Sequence, residues 1–441
     1  MATWNSSNTT TTAQSESHTA TVPLANGWIH QPDGRGTLDI IKSCLLTVFL
    51  CSWSAICLNV PPPARHRWSF LQLKFNWMIF TIFFPEVVVA LAAEQWESAC
   101  QSVNDFQNLG YPQWTMRHAF FADMGGFHLQ SPGFPAFPVD GQQLVYLVER
   151  EHISYPHVDQ DTIRDKNKAD GFARLISLTQ MTWFSVECIA RAIQQLPMST
   201  FELSTIAFIF CSLNMFFFWF HKPLDVEVPI ILRSETRIAD ILVEAGDRAR
   251  EPYKTTPLDF LGPPERKTSI IALCKYGLGV IFGFGQEPAN RPIKTFVNSR
   301  TTPYRGTTIR EMLYGIAFEV VYFGIHLTGW NFAFPTSTER LLWRVASCQL
   351  LGLLLFYLAI ITVFTYFYRS IARALFGRDA TSMLGVADVC PRWVMFLAFY
   401  SVIVAYGTAR TYILVEAFVS LRALPLDAYT SVDWANFIPH V

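Results

Sequence analysis

Charge is scarce in this chain. Asp, Glu, Lys and Arg make up 16% of its 441 residues, whereas a soluble domain needs about a quarter to keep its surface wetted. The shortfall argues against two or three ordinary soluble domains and points to a surface that faces lipid. Lys and Arg (34) balance Asp and Glu (35) to a net charge of −1, so no basic surface for nucleic acid is implied. The nine cysteines contain no CxxC pair and lie mostly inside apolar runs, which argues against a disulfide framework or a zinc site. Also missing are a DDxxD set for magnesium-bound diphosphate, an HxxHH set for di-iron chemistry, HExxH, GxSxG and a P-loop. Segments broken by glycine or proline do not recur in pairs, as they do in many transporters.

What is present is oil. Hydrophobic residues reach 51%, with 37 Phe and 13 Trp. A helix crosses a bilayer with roughly 20 mostly apolar residues, since it rises 1.5 Å per residue through about 30 Å of hydrocarbon. Runs of that kind cover 38–59, 76–96, 172–194, 200–220, 268–285, 310–333, 344–368 and 393–419, the fifth being short and glycine-rich. The expected fold is therefore all-α, a polytopic transmembrane bundle of about eight helices over 37–420. Residues 1–36 are rich in Ser, Thr and Asn without an apolar core, which reads as a disordered tail rather than a signal peptide. The tail holds two glycosylation sequons, at Asn5 and Asn8, usable only on a lumenal or outer face.

Loop charge suggests the orientation. With the N-terminus outside, the loops 60–75, 195–199, 286–309 and 369–392 fall inside, and three of them are rich in Lys and Arg. The two long loops, 97–171 and 221–267, then fall outside, as does a short tail, 421–441. The stretch from Trp114 to His128 is aromatic but carries Arg117, His118 and Asp123, which suits an interfacial or re-entrant segment.

Several stretches carry a resemblance. They include Arg35-Gly-Thr-Leu-Asp-Ile-Ile, the run from Trp114 to Phe127, Lys168-Ala-Asp-Gly-Phe-Ala-Arg174 and Phe218-Trp-Phe-His-Lys-Pro-Leu-Asp225. Further on come Gly324-Ile-His-Leu-Thr-Gly-Trp330, Leu342-Trp-Arg344 and the run from Trp434 to His440. Together they resemble a large group of multi-pass membrane proteins of filamentous fungi with no assigned activity. Some members are similar to proteins encoded near genes of specialised metabolism. The resemblance implies an integral membrane protein in a biosynthetic setting, in the endoplasmic reticulum or another endomembrane, and supplies no catalytic residues.

Ionisable residues at membrane depth are costly and invite functional readings. Glu319, Tyr322, His326 and Trp330 fall at i, i+3, i+7 and i+11, within about 60° of one another on a helix. A carboxylate and an imidazole on one face form an acid–base pair. Alternatively, Glu319 only bonds a neighbouring helix. Glu86 follows Pro85 inside the second run, where a kinked helix suits either a substrate cavity or plain packing. Arg410 suits a phosphate or carboxylate ligand, or a buried ion pair with Glu319 or Glu86. His118 and Asp123, beside Gly125 and Gly126, suit a lid over a cavity, and their spacing matches no metal pattern. Glu187 and Arg191 at i and i+4 suggest an intrahelical pair, and Ser199 with Glu202 a capping box.

Three functions fit. The first is a membrane-embedded enzyme that moves a proton on an apolar metabolite, isoprenoid or polyketide-like, without a cofactor. Glu319, His326 and Glu86 would be the catalytic groups, with Tyr322, Trp330, Arg410, His118 and Asp123 at the substrate. The second is a transporter of a small organic metabolite. The third is a scaffold or sensor whose intramembrane charges only specify packing.

Overall fold

The computed structural model describes residues 24–30, 34–62, 67–165, 170–226, 228–261, 291–300, 309–377 and 391–434. The run 268–285 and the sequons at Asn5 and Asn8 lie outside them. A short strand, β1 (Leu24–Asn26), precedes α1 (Thr37–Ala55), α2 (Arg67–Phe83) and α3 (Pro85–Asn108). Next come α4 (Met116–Asp123), β2 (Phe127–Gln130), β3 (Phe137–Val139), α5 (Gly141–Glu149) and α6 (Gln160–Asp165). Two long helices, α7 (Asp170–Ile193) and α8 (Thr200–Phe218), lead to β4 (Ile230–Arg233) and α9 (Ile238–Ala245). Three more, α10 (Ile309–Thr328), α11 (Ser337–Phe376) and α12 (Arg392–Val419), precede β5 (Ala423–Pro425).

Among the described residues five helices are long and apolar enough to cross a membrane: Thr37–Ala55, Thr200–Phe218, Arg310–Asn331, Ser337–Ile360 and Tyr400–Arg422. The run 76–96 is not one straight helix. It belongs to α2 and α3, which meet at Phe84 with a bend of 111°. The run 172–194 is helical as α7 but is not among the five, since Arg174, Glu187 and Arg191 interrupt its apolar character. It nevertheless runs the length of α1. Ser54 donates to Ser177 at 2.7 Å near one end, and Gln180 donates to Thr47 at 3.0 Å farther along.

Helices do not account for everything. A mixed sheet of order β3-β2-β4 pairs β2 antiparallel with β3 and parallel with β4. It lies within the segments expected as long loops, which also hold α4 to α6 and α9. The stretch from Trp114 to His128 is correspondingly part of the core rather than an interfacial segment, with Trp114, Phe120, Phe121 and Phe127 all buried. A second sheet pairs β1 with β5 antiparallel, and Arg35 is buried against Glu202. The end of the expected tail 1–36 is thus ordered, because the residues after α12 supply it with a partner strand.

Segments expected on opposite faces touch. Val60 donates its N–H to the Met124 carbonyl at 3.0 Å, and Lys74 pairs with Asp225 at 2.7 Å. Ser199 and Glu202 form the expected capping box. Glu187 and Arg191 do not pair. Arg191, fully buried, donates instead to the carbonyls of Pro197, Ala428 and Thr430 at 2.8–2.9 Å.

The turn from α4 into β2 depends on two glycines. Gly125 holds φ at +83°, and a Cβ on Gly126 would stand 2.5 Å from the Phe121 ring and carbonyl. Gly126→Ala is expected to cost about 1–3 kcal/mol through overpacking, read as a lower thermal midpoint of the purified protein. Gly315→Ala, in the open middle of α10, should raise the midpoint by up to about 1 kcal/mol of helix propensity.

Candidate functional site

The break between α2 and α3 follows from its sequence. Pro85 lacks an N–H and its ring crowds the preceding turn, so Phe84 leaves helical space at φ −132°, ψ 55°. The last turn of α2 then has carbonyls without intrahelical partners. Arg410 answers one of them, donating from Nη2 to the Ile82 carbonyl at 3.2 Å. Tyr406 lies one turn earlier on α12. Its hydroxyl donates to Glu86 Oε1 at 2.5 Å, lies 3.3 Å from the Phe83 carbonyl oxygen, and its ring stacks on Phe84 at 5.6 Å. Glu86 stands in the first turn of α3, where the helix dipole favours a carboxylate.

From α10, two side chains reach the same place. Tyr322 and His326 are fully buried. The Tyr322 ring lies 5.6 Å from the Arg410 guanidinium carbon, and His326 Nε2 lies 3.5 Å from Arg410 Nη1. His326 Nδ1 is 3.2 Å from the Tyr322 carbonyl oxygen. That assignment puts the proton on Nδ1 and turns the Nε2 lone pair to the guanidinium. Among the described residues four polar atoms here are buried with no hydrogen-bond partner: Glu86 Oε2, Glu319 Oε2, the Tyr322 hydroxyl and Arg410 Nε. Unmade bonds of buried groups cost about 1–3 kcal/mol each, so these atoms are available to a water or a bound molecule.

The expected stripe on α10 is brought together only in part. Trp330 falls beyond the end of α10 in a short 3₁₀ turn, is 40% exposed, and lies under Arg344 at 4.8 Å. The helix ends at Thr328, so the periodicity that put Trp330 on the face of Glu319 no longer applies. Trp343 stands beside His326 instead, buried, and donates to the His326 carbonyl at 3.2 Å. Arg410 forms no ion pair with Glu319 or Glu86 within the described contacts, its fork being turned to Ile82 and His326. Sequence reasoning missed Tyr406, although its i, i+4 spacing to Arg410 was the available signal.

His118 and Asp123 stand elsewhere. His118 is buried under Trp114, accepts from the Thr115 N–H at 3.2 Å and has Nε2 2.8 Å from the Val158 carbonyl oxygen. It fastens the start of α4 and is no lid. Burial holds its pKa below the usual histidine range. Asp123 ends α4 and accepts from Ser98 at 2.8 Å and from the Gly141 N–H at 3.0 Å.

Burial and the neighbouring Asp140 push the Asp123 carboxyl up to about 6. An unfolded aspartate titrates near 4. A raised carboxyl pKa stabilises the fold below about pH 4, and that contribution is lost as pH rises through about 6. Asp123→Asn is expected to flatten this fall, followed as the thermal midpoint between pH 4 and pH 7.

No curated protein and no solved structure matches the chain. A family model matches residues 9–244 and 310–441, which include the helix break and every residue around it. The chain belongs to that family, a family of unknown function designated DUF8562.

Proposed function

We propose that this chain is a multi-pass integral membrane protein that uses the cluster at the helix break to move a proton on an apolar metabolite. Five apolar helices support the membrane reading, as do the exposed aromatic and aliphatic side chains of α11 and α12, among them Phe356, Phe367, Trp393 and Leu397. We count six crossings, by α1, α7, α8, α10, α11 and α12, with α2 and α3 as a re-entrant hairpin. Asn59, before α2, and Gln95, on α3, both bond Asn298, at 2.7 and 3.3 Å. The chain therefore enters along α2 and returns along α3 to the same face. Thr200 and Ser420, bonded at 2.6 Å, mark the opposite face together with β1 and β5. Lys and Arg such as Arg117, Arg150, Arg233 and Arg248 gather on the hairpin's face, which favours a cytosolic side there. This moves 97–171 and 221–267 to the inside and keeps the N-terminal sequons outside or lumenal.

One observation carries the chemistry. Two carboxylates, Glu86 and Glu319, each keep an oxygen without a partner beside an imidazole, a guanidinium and a phenol in apolar surroundings. Glu319 or Glu86 is the proton donor, the positive charge of Arg410 nearby favours the carboxylate left behind, and His326 orients the Arg410 fork from its own bond to the Tyr322 carbonyl. The Tyr322 ring steadies positive charge that develops on an isoprenoid or polyketide-like substrate. An endomembrane location and a place in fungal specialised metabolism accord with this chemistry.

A carrier is the second reading, favoured by the broken helix. Half-helix ends meeting at mid-depth form the substrate sites of many transporters.

Metabolite profiling of a deletion strain supplies candidate substrates as accumulating apolar compounds. Microsomes carrying Glu319→Gln are expected to hold normal protein levels and to lose conversion of the accumulated compound at least about a hundredfold. Retained conversion with Glu319→Gln and Glu86→Gln combined removes the enzyme reading. Uptake of that compound by liposomes, absent with Arg410→Ala, would select the carrier.

A further inference from the structure

A second buried polar site lies where the residues after α8 meet α3 and α4. Lys222 is 2% exposed. Its ammonium donates to Gln95 Oε1 at 2.8 Å, reaches Asn59 Oδ1 at 3.4 Å, and lies 4.9 Å from the centre of the Trp219 ring. An ammonium carries three donors, so one N–H is left over, and among the described residues no carboxylate forms an ion pair with it. Arg300 lines the same cavity. Its Nη2 pairs with Asp140 at 2.7 Å, while Nη1 is buried with no partner among the described residues.

The neighbouring polar groups have their bonds elsewhere. Asn59 Nδ2 donates to the Val297 carbonyl at 2.9 Å, and Gln95 Nε2 to the carbonyls of Asn298 and Arg300 at 3.3 and 3.1 Å. Ser98 and the Gly141 N–H donate to Asp123. What stands open in the cavity is therefore donors, and both belong to cations. Buried cationic donors are satisfied best by a charged acceptor.

We infer that this cavity binds one small monovalent anion, of halide or carboxylate size, between Lys222 Nζ and Arg300 Nη1. The space among these side chains is small, about 280 Å³. One ion or one carboxylate head fits and a bulky anion does not. The site owes nothing to the proton-transfer reading. Its occupant would join α3 and the end of α8 to α4 and the Arg300 segment.

The pH dependence follows from the groups around Lys222. These are Asp123 on α4, Asp140 and Arg300 beside it, Cys57 ahead of α2, and Arg174 on α7, which donates to the Lys222 carbonyl at 3.1 Å. Burial lowers the Lys222 amine to about 8, and Asp123 titrates at about 6. Anion binding needs Lys222 protonated and is opposed by an ionised Asp123. Affinity is therefore highest below pH 6, falls between 6 and 8, and is lost above 8.

The test uses the full chain in detergent, with a bulky organic sulfonate as the background anion, which has no carboxylate head and is too large for the cavity. Chloride and formate are titrated separately and the thermal midpoint is read. A saturable rise with either ion is expected, with apparent affinity about tenfold weaker at pH 9 than at pH 7, the protonated fraction of an amine near 8. Saturation by chloride identifies a halide site, and by formate alone a carboxylate site. Lys222→Met should abolish the rise, and if that variant does not fold, the wild-type pH dependence decides alone. No saturable response means that a water fills the cavity, and an equal, unsaturating rise in both proteins means a general salt effect. Either overturns the inference.

Discussion

A backbone carbonyl with no donor in apolar surroundings costs several kcal/mol, and much of this structure answers that constraint. Three arginines do most of it. Arg410 caps the broken end of α2 at Ile82, Arg174 gathers the carbonyls of Trp219, Phe220 and Lys222 past the end of α8, and Arg191 gathers those of Pro197, Ala428 and Thr430. A guanidinium suits the task because its five donors fan out in one plane and it does not lose its charge. Lysine offers three donors from one point, which cannot reach carbonyls spread along a loop as a planar fork does.

The same constraint explains why the cluster at the break is polar at all. Once Pro85 ends α2, something must enter to meet the free carbonyl, and Arg410 brings its positive charge with it. That charge in turn makes Glu86 tolerable nearby, and Tyr406 fixes one of its oxygens. A local backbone defect thus draws in a set of ionisable side chains.

How much of this is legible in the sequence depends on range. Local signals carry well: the capping box at Ser199, the proline break, the paired glycines and the apolar runs of α1, α8, α10, α11 and α12 all correspond to structure. Failures come where a partner is distant in sequence. Glu187 and Arg191 have pairing distance along a helix, but Arg191 bonds the Pro197 carbonyl just past its helix and two carbonyls, of Ala428 and Thr430, from the far end of the sequence, which helical periodicity does not encode. Trp330 follows the right period and misses its face because α10 stops two residues earlier. Apolar length alone also does not reveal a break, which is why 76–96 reads as one straight helix although α2 and α3 meet there at 111°. Nothing local in the run from Phe218 to Asp225 foretells that Asn59 and Gln95, far away in sequence, surround Lys222.

The clasp of β1 on β5 bears on assembly. Residues 423–430 touch the strand before α1, the loop at Arg35 and the first residue of α1 itself. The opening of α1 is therefore fastened by a residue 392 positions later, Tyr429, whose hydroxyl meets Thr37. Arg191 on α7 draws two of its three acceptors, Ala428 and Thr430, from the same segment. A variant that ends after α12 would lose the pairing of β1 with β5 and leave a buried guanidinium short of two acceptors.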